Sequence, residues 1–167
     1  MSPGQVNDDF IALLNDHKGI IYKVANGYCH DPEDRKDLVQ EIIIQLWGAF
    51  EKYDDRYKLS TWMYRIALNV AISFYRKGKK KTTAPLTQNL IELTAEEDSG
   101  ELDENVHLLN QFIDELDELN KALMLLYLDD NSHREIADVL GISESNVATK
   151  LGRIKDKLKT KFSQLNA

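Results

Sequence analysis

The sequence predicts an all-α fold of two small helical domains joined by a flexible linker. Apolar residues recur at helical spacing over long stretches, and only eight Gly and three Pro interrupt the 167 residues. Charge supplies the division. Residues 1–81 hold 13 basic and 11 acidic side chains, and residues 105–167 hold 8 and 10. Residues 82–104 hold seven carboxylates and no cation, so this stretch alone accounts for the net charge of −7. With Pro85, Glu96-Glu97-Asp98 and Gly100, it reads as an exposed acidic tether that also has the charge to compete with DNA for basic faces. The expected domains are 1–81 and 105–167, flanking the linker 82–104.

The first helix follows from Phe10, Leu13, Leu14, His17, Ile20, Ile21, Val24 and Tyr28, with a break expected near Gly19 and an end before Asp31-Pro32. A second starts in the acidic turn at Glu33-Asp34, with Val39, Ile42, Ile43, Leu46 and Phe50 as its core stripe. Ile44 and Trp47 lie off that stripe, beside Asp37, Gln40 and Glu41. Such an apolar shoulder rimmed by polar groups fits either a docking face for another protein or an edge buried within the module. Residues 52–59 lack an apolar period and read as a loop, with Ser60 or Thr61 capping the next helix.

In that helix Met63, Ile66, Ala67, Val70, Ala71 and Phe74 are expected to face inward, while Arg65, Asn69, Ser73 and Arg76 share another face. Arg holds a phosphate or a guanine edge and Asn reads a base edge, so the face suits DNA. Trp62, Tyr64, Tyr53 and Tyr57 stand close by, and rings beside cations suit unstacked single-stranded bases; for Trp62 a plain core role competes with this. Residues 62–81 carry six cations and no carboxylate.

In the second half, Val106, Leu109, Ile113 and Leu116 outline one helix and Leu119, Leu123, Leu126 and Tyr127 another. Ser132-His-Arg-Glu135 is a capping box opening a short helix with Ile136, Ala137 and Leu140 inward. Gly141 ends it, and Ser143 caps a last helix with Val147, Leu151, Ile154 and Leu158 as its core. A short helix, a glycine turn and a second capped helix are the parts of a helix-turn-helix. Its second helix would offer Ser143, Ser145, Asn146, Thr149, Lys150 and Arg153 to a major groove, within a 145–167 segment of six cations and one carboxylate.

Composition excludes other classes. No apolar run approaches the roughly 18 residues of a membrane span. Residues 1–10 include Asp8 and Asp9 and no cation, unlike a secretory signal, so a cytoplasmic setting without membrane insertion is expected. Cys29 has no partner for an internal disulfide, and His17, His30, His107 and His133 lack ligand spacing, so neither a metal nor another cofactor is expected. A nuclease built on Asp54 and Asp55 fails because adjacent side chains diverge, and no catalytic residue is assigned.

Three runs in order, Asp37-Leu-Val-Gln-Glu41 through Leu46-Trp47, Leu59-Ser-Thr-Trp-Met-Tyr-Arg-Ile-Ala-Leu-Asn-Val-Ala71 with Tyr75-Arg76, and Glu135-Ile-Ala-Asp-Val-Leu-Gly-Ile-Ser143 through Leu151, resemble a bacterial sigma factor of the extracytoplasmic-function type. The resemblance covers about residues 9–162 and implies region two in the first domain and region four in the second. It implies core RNA polymerase as partner: Asp37, Gln40, Glu41, Ile44 and Trp47 against the beta-prime clamp helices, and the helix around Leu123 to Leu128 against the beta flap. It implies promoter DNA as the second partner. Lys58, Ser60, Trp62, Tyr64, Arg65, Asn69 and Arg76 would hold the melted non-template strand of the minus-ten element, and Ser143, Ser145, Asn146, Thr149, Lys150 and Arg153 the minus-thirty-five duplex. An anti-sigma factor is implied as well. Asp117 stands where relatives often carry Pro, and can start a helix as its cap. Asn146, Ala148, Thr149 and Lys150 replace frequent Thr, Lys, Ser and Arg, so the promoter sequence does not carry over. The resulting expectation is a non-enzymatic sigma factor that places polymerase at promoters and assists their melting. The alternative, a stand-alone helix-turn-helix regulator, accounts for the second domain and leaves the basic-aromatic helix of the first unexplained.

Overall fold

The computed structural model describes residues 3–78 and 101–165, and among these every regular element is helical. The chain divides into two units, residues 1–83 and 84–167.

In the first unit α1 spans Pro3–Tyr28, α2 Pro32–Ala49 and α3 Leu59–Gly78, with a 3-10 turn at Phe50–Lys52. α1 kinks at His17, two residues before the expected break at Gly19. Its end and the start of α2 are fixed together. Asp31 accepts from the Asp34 N–H at 3.0 Å, Pro32 occupies the first turn, and Arg35 donates back to the carbonyls of Cys29 and His30 at 3.3 and 3.0 Å. Phe10, Ile21, Val24, Ala25 and Tyr28 of α1 and Leu38, Ile42 and Leu46 of α2 close over Met63, Tyr64, Ala67, Leu68 and Ala71 of α3. The core stripes are rotated from expectation: Leu38 takes the place given to Val39 and Ile43, and Tyr64 and Leu68 that of Ile66, Val70 and Phe74, which are half-buried.

In the second unit α4 spans Glu101–Glu115, α5 Glu118–Leu128, α6 His133–Leu140 and α7 Glu144–Leu165. α4 begins inside the stretch read as linker; residues 82–100 of that stretch, and Lys79, Lys80 and Lys81 of the basic run, lie outside the described residues. Asp117 caps α5, accepting from the Asn120 N–H at 2.8 Å. Ser132 caps α6 by accepting from the Glu135 N–H at 3.1 Å, and its hydroxyl donates to the Glu135 carboxylate at 3.2 Å. Gly141 sits at φ +70°, where its N–H and that of Ile142 both reach the Ala137 carbonyl. Ser143 then caps α7 through the Asn146 N–H at 3.1 Å. Ile136, Ala137 and Val139 pack against Val147, Leu151 and Ile154, while Leu140, expected inward, is half-buried.

Lys121 is buried (2% exposed) with its ammonium 3.4 Å from Asp114, itself 8% exposed. The pair ties α4 to α5, and breaking one side of it strands a charge in the core. Lys121→Met is expected to lower stability by about 3 kcal/mol in urea unfolding, and Lys121→Met with Asp114→Leu to regain most of that. Equal losses in the single and double variants would show that the pair does not matter.

Cys29 is buried at the end of α1, and burial first, then the Asp34 and Asp31 charges, push its thiol up to about 11 from 9.0. A raised thiol stays protonated at pH 8, so iodoacetamide is expected to alkylate the native chain about 100-fold more slowly than the urea-unfolded chain. Comparable rates would place Cys29 in solvent.

Candidate nucleic-acid interface

α2 and α3 each turn a distinct stripe to solvent. On α2, Asp37, Gln40 and Glu41 are exposed in line with Ile44 (58%) and Trp47 (43%). Glu41 accepts from the Gln45 amide at 3.1 Å, and one face of Trp47 rests on Phe10, centroids 4.9 Å apart. Of the two readings of the apolar shoulder, an edge buried within the module is therefore excluded.

On α3, Asn69, Ser73 and Arg76 are exposed and Arg65 half-exposed, all on the side opposite the core. The helix starts at Leu59, earlier than the Ser60 or Thr61 cap expected, because the Lys58 carbonyl accepts the Trp62 N–H at 3.1 Å. Lys58 is thus exposed at the cap, Ser60 is half-buried in the first turn, and Thr61 is buried. Trp62 is half-buried between Phe50 and Tyr53, at 6.4 and 5.2 Å. Tyr64 is corrected: at 2% exposure its ring lies in the core with Leu68, one residue step round the helix from the polar face, and offers no stacking surface.

The loop before α3 brings its two tyrosines to this face. The Tyr53 hydroxyl donates to the Tyr57 carbonyl at 2.8 Å, and the Arg65 guanidinium lies 4.5 Å from the centre of the Tyr57 ring. Arg56 closes the same loop on Asp54, at 2.6 and 2.8 Å, and holds that carboxyl below its usual range by hydrogen bonding. A planar cation, two phenol rings and an indole therefore share one edge, an arrangement that stacks and grips an unpaired base. Tyr53 and Tyr57, expected close to this face, stand at its edge, and Tyr57 is joined to it through Arg65.

In the second unit, Ser143, Ser145, Asn146, Thr149 and Arg153 are exposed along α7, with Lys150 half-buried. The hydroxyls are engaged locally. Ser143 caps the helix and lies 3.2 Å from the Ser145 hydroxyl, and Thr149 donates to the Ser145 carbonyl at 3.0 Å. Asn146, Lys150 and Arg153 remain as the groups with length and polarity to reach a base edge or phosphate. Two cations of the basic run have partners within the unit: Lys155, exposed, lies over the Tyr127 ring at 4.4 Å, and Lys161, half-buried, pairs with Glu115. Among the described residues no group of His, Cys, Asp and Glu could hold a metal ion, and no helix is long and apolar enough to cross a membrane.

Two family models match this chain: Sigma-70 region 2 over residues 13–81 and Sigma-70 region 4 over residues 107–158, together more than half of its length. The chain belongs to the sigma-70 family. The RNA polymerase sigma factor SigV of Bacillus subtilis is 29% identical over 86% of this chain and 84% of its own. The ECF RNA polymerase sigma factor SigM of the same organism is 28% identical over 95% and 96%. In fold, the chain is similar to the sigma factor RpoE of Bartonella quintana, solved in complex with the anti-sigma factor NepR, with a TM-score of 0.67 at 15% identity over 93% of this chain and 97% of that one. As a sigma factor of the extracytoplasmic-function type, it acts with core RNA polymerase on promoter DNA in transcription initiation. Sigma factors are in general non-catalytic.

Removing Lys150 or Arg153, two cations on the solvent side of α7, is expected to weaken duplex binding and flatten its log-log salt dependence by about one unit of slope each. Lys155→Ala, which removes the ammonium held over the Tyr127 ring, is expected to change the slope less; a slope that falls equally for all three would mean that Lys155 also contacts phosphate.

Proposed function

We propose that this sigma factor divides its work among three faces. The α2 stripe of Asp37, Gln40, Glu41, Ile44 and Trp47 docks on the beta-prime clamp helices of core polymerase. Lys58, Ser60, Trp62, Arg65, Asn69 and Arg76, joined by Tyr53 and Tyr57, capture the melted non-template strand of the minus-ten element. α7 reads the minus-thirty-five duplex through Asn146, Lys150 and Arg153, while Ser143, Ser145 and Thr149 shape the entry of the helix into the groove. The supporting observation is that α2 and α3 point chemically different stripes outward, apolar with carboxylates on one and cations with an amide and rings on the other. Carboxylates around an apolar centre suit a protein partner and repel DNA, whereas the α3 edge has the opposite preference.

The surface of α5 left for the beta flap is Leu119 and Leu128, since Leu123, Met124 and Leu126 are buried. The working domains on this reading are 1–81 and 105–167 around the linker 82–104, supported by family matches that end at residue 81 and resume at residue 107. The protein catalyses no reaction itself and works in the cytoplasm, where polymerase is. An anti-sigma factor holds it inactive, by analogy with the RpoE–NepR complex.

Arg65→Ala and Asn69→Ala are expected to reduce promoter opening about tenfold, read as permanganate reactivity of unpaired thymines, with core affinity within about twofold of wild type. Asp37→Lys with Glu41→Lys is expected to weaken core binding first, measured by gel filtration and titration with core polymerase. Variants of the two faces behaving alike would defeat the division of labour. A full-length chain that neither binds core nor supports run-off transcription would leave only the stand-alone regulator.

A further inference from the structure

Five rings of the first unit form a continuous ladder between two of the faces just assigned. Phe10 stands between Trp47 and Phe50, with centroids 4.9 and 5.4 Å away. Phe50 leads to Trp62 at 6.4 Å and Trp62 to Tyr53 at 5.2 Å, every pair tilted by 54 to 59°. Tilted rings at such spacing attract through edge-to-face contact. From Tyr53 the hydroxyl bond to the Tyr57 carbonyl carries the ladder to the ring beneath Arg65. It begins at the exposed indole of α2 and ends on the base-capturing edge of α3.

We propose that Phe10 and Phe50 are positioning residues for base capture: they touch no DNA, but set the Trp62–Tyr53 platform and tie it to Trp47. Phe10 is 4% exposed and, among the described residues of α1 before its kink at His17, the one fully buried side chain. It is anchored to Trp47 and Phe50. Phe50 opens the 3-10 turn, and its carbonyl accepts the Tyr53 N–H at 3.2 Å, so the loop leaves α2 from the same residue that carries the ring contact. A leucine at position 10 fills much of the space but offers neither Trp47 nor Phe50 an aromatic edge. Trp47 thereby serves both the polymerase-facing stripe and the platform. This assignment rests on the division of faces proposed above, and its first test is independent of that division.

The chain has two tryptophans, Trp47 and Trp62. In a Trp47→Phe background Trp62 is the sole indole emitter and position 47 keeps a ring. Adding Phe10→Leu is expected to shift Trp62 emission to the red and raise its acrylamide quenching about twofold, and Phe10→Tyr, which keeps the ring, to restore both. Val24→Ala, a core truncation off the ladder, is expected to lower the melting temperature without moving Trp62 emission. An unmoved Trp62 in Phe10→Leu, or an equal shift in Val24→Ala, overturns the proposal.

The second measurement uses holoenzyme and an oligonucleotide carrying the unpaired non-template strand. Phe10→Leu is expected to weaken capture about three- to tenfold with core affinity within twofold, whereas Trp47→Ala lowers both. Wild-type holoenzyme that captures the strand, with Phe10→Leu indistinguishable from it, also overturns the proposal. If wild-type holoenzyme fails to capture the strand, the assignment of faces falls, while the optical result still decides whether the ladder sets Trp62.

Discussion

α3 has two neighbours and one circumference. Met63, Tyr64, Ala67, Leu68 and Ala71 are buried where α1 and α2 close over it, and the two alanines, with nothing beyond Cβ, allow that close approach. Turning the helix by one residue step of about 100° one way would bring Arg65 and Asn69 to the seam and release Met63 and Ala67, and turning it the other way would release Tyr64 and Leu68 to water. Each large side chain lost from the core forfeits about 1.5–3 kcal/mol, and an unpaired guanidinium in the seam costs more than that. The core therefore sets the azimuth of α3, and the outward stripe of Arg65, Asn69, Ser73 and Arg76 follows without help from any ligand. A surface fixed in this way is preorganised, so little ordering remains to be done when a strand arrives.

The second unit reaches the same end through its turns. Ser132, Gly141 and Ser143 mark the start of α6, its end and the start of α7, each closing a backbone group that would otherwise be left open. Of these three, it is Gly141 that takes the left-handed region, and a side chain there would be strained although the space around it is open. Between these three points the interlock of Ile136 and Val139 with Val147 and Leu151 leaves the crossing little freedom. The face that α7 shows to solvent is thus decided by one glycine and two serines acting on a small apolar seam.

Much of this was legible in the sequence because caps and periodicity are local. Asp117, Ser132, Gly141 and Ser143 read correctly from a few neighbouring residues, as did Val147, Leu151 and Ile154. The phase of α3 did not, because Tyr64 carries both an apolar ring and a hydroxyl, and Leu68 was outweighed by a neighbouring run of Ile66, Val70 and Phe74 with a period just as helical. Only packing against two other helices discriminates between stripes less than one residue step apart. Lys121 was illegible for a different reason: a lysine is presumed exposed unless a partner is known, and Asp114 lies across a helix boundary. The Arg65–Tyr57 contact likewise joins a loop to a helix, where no spacing rule applies.

The same distinction bears on charge. Counting places six cations on the last helix, but Lys161 is paired with Glu115, which offsets its charge, and Lys155 is held over the Tyr127 ring, which orients its ammonium without neutralising it. On the first unit Arg65 is likewise engaged, with the Tyr57 ring. Phosphate contacts act through counterion release, each adding a modest salt-dependent increment, so a face with few available cations binds weakly alone. Two weak faces on one chain become a strong site when both meet the same promoter, because the second contact forms at a high effective concentration. On the proposed division of faces, core polymerase supplies that geometry through the apolar stripe of α2, which has no use for DNA. Weak intrinsic affinity is then the property that makes promoter binding depend on assembly with polymerase, and an overall acidic chain is compatible with it.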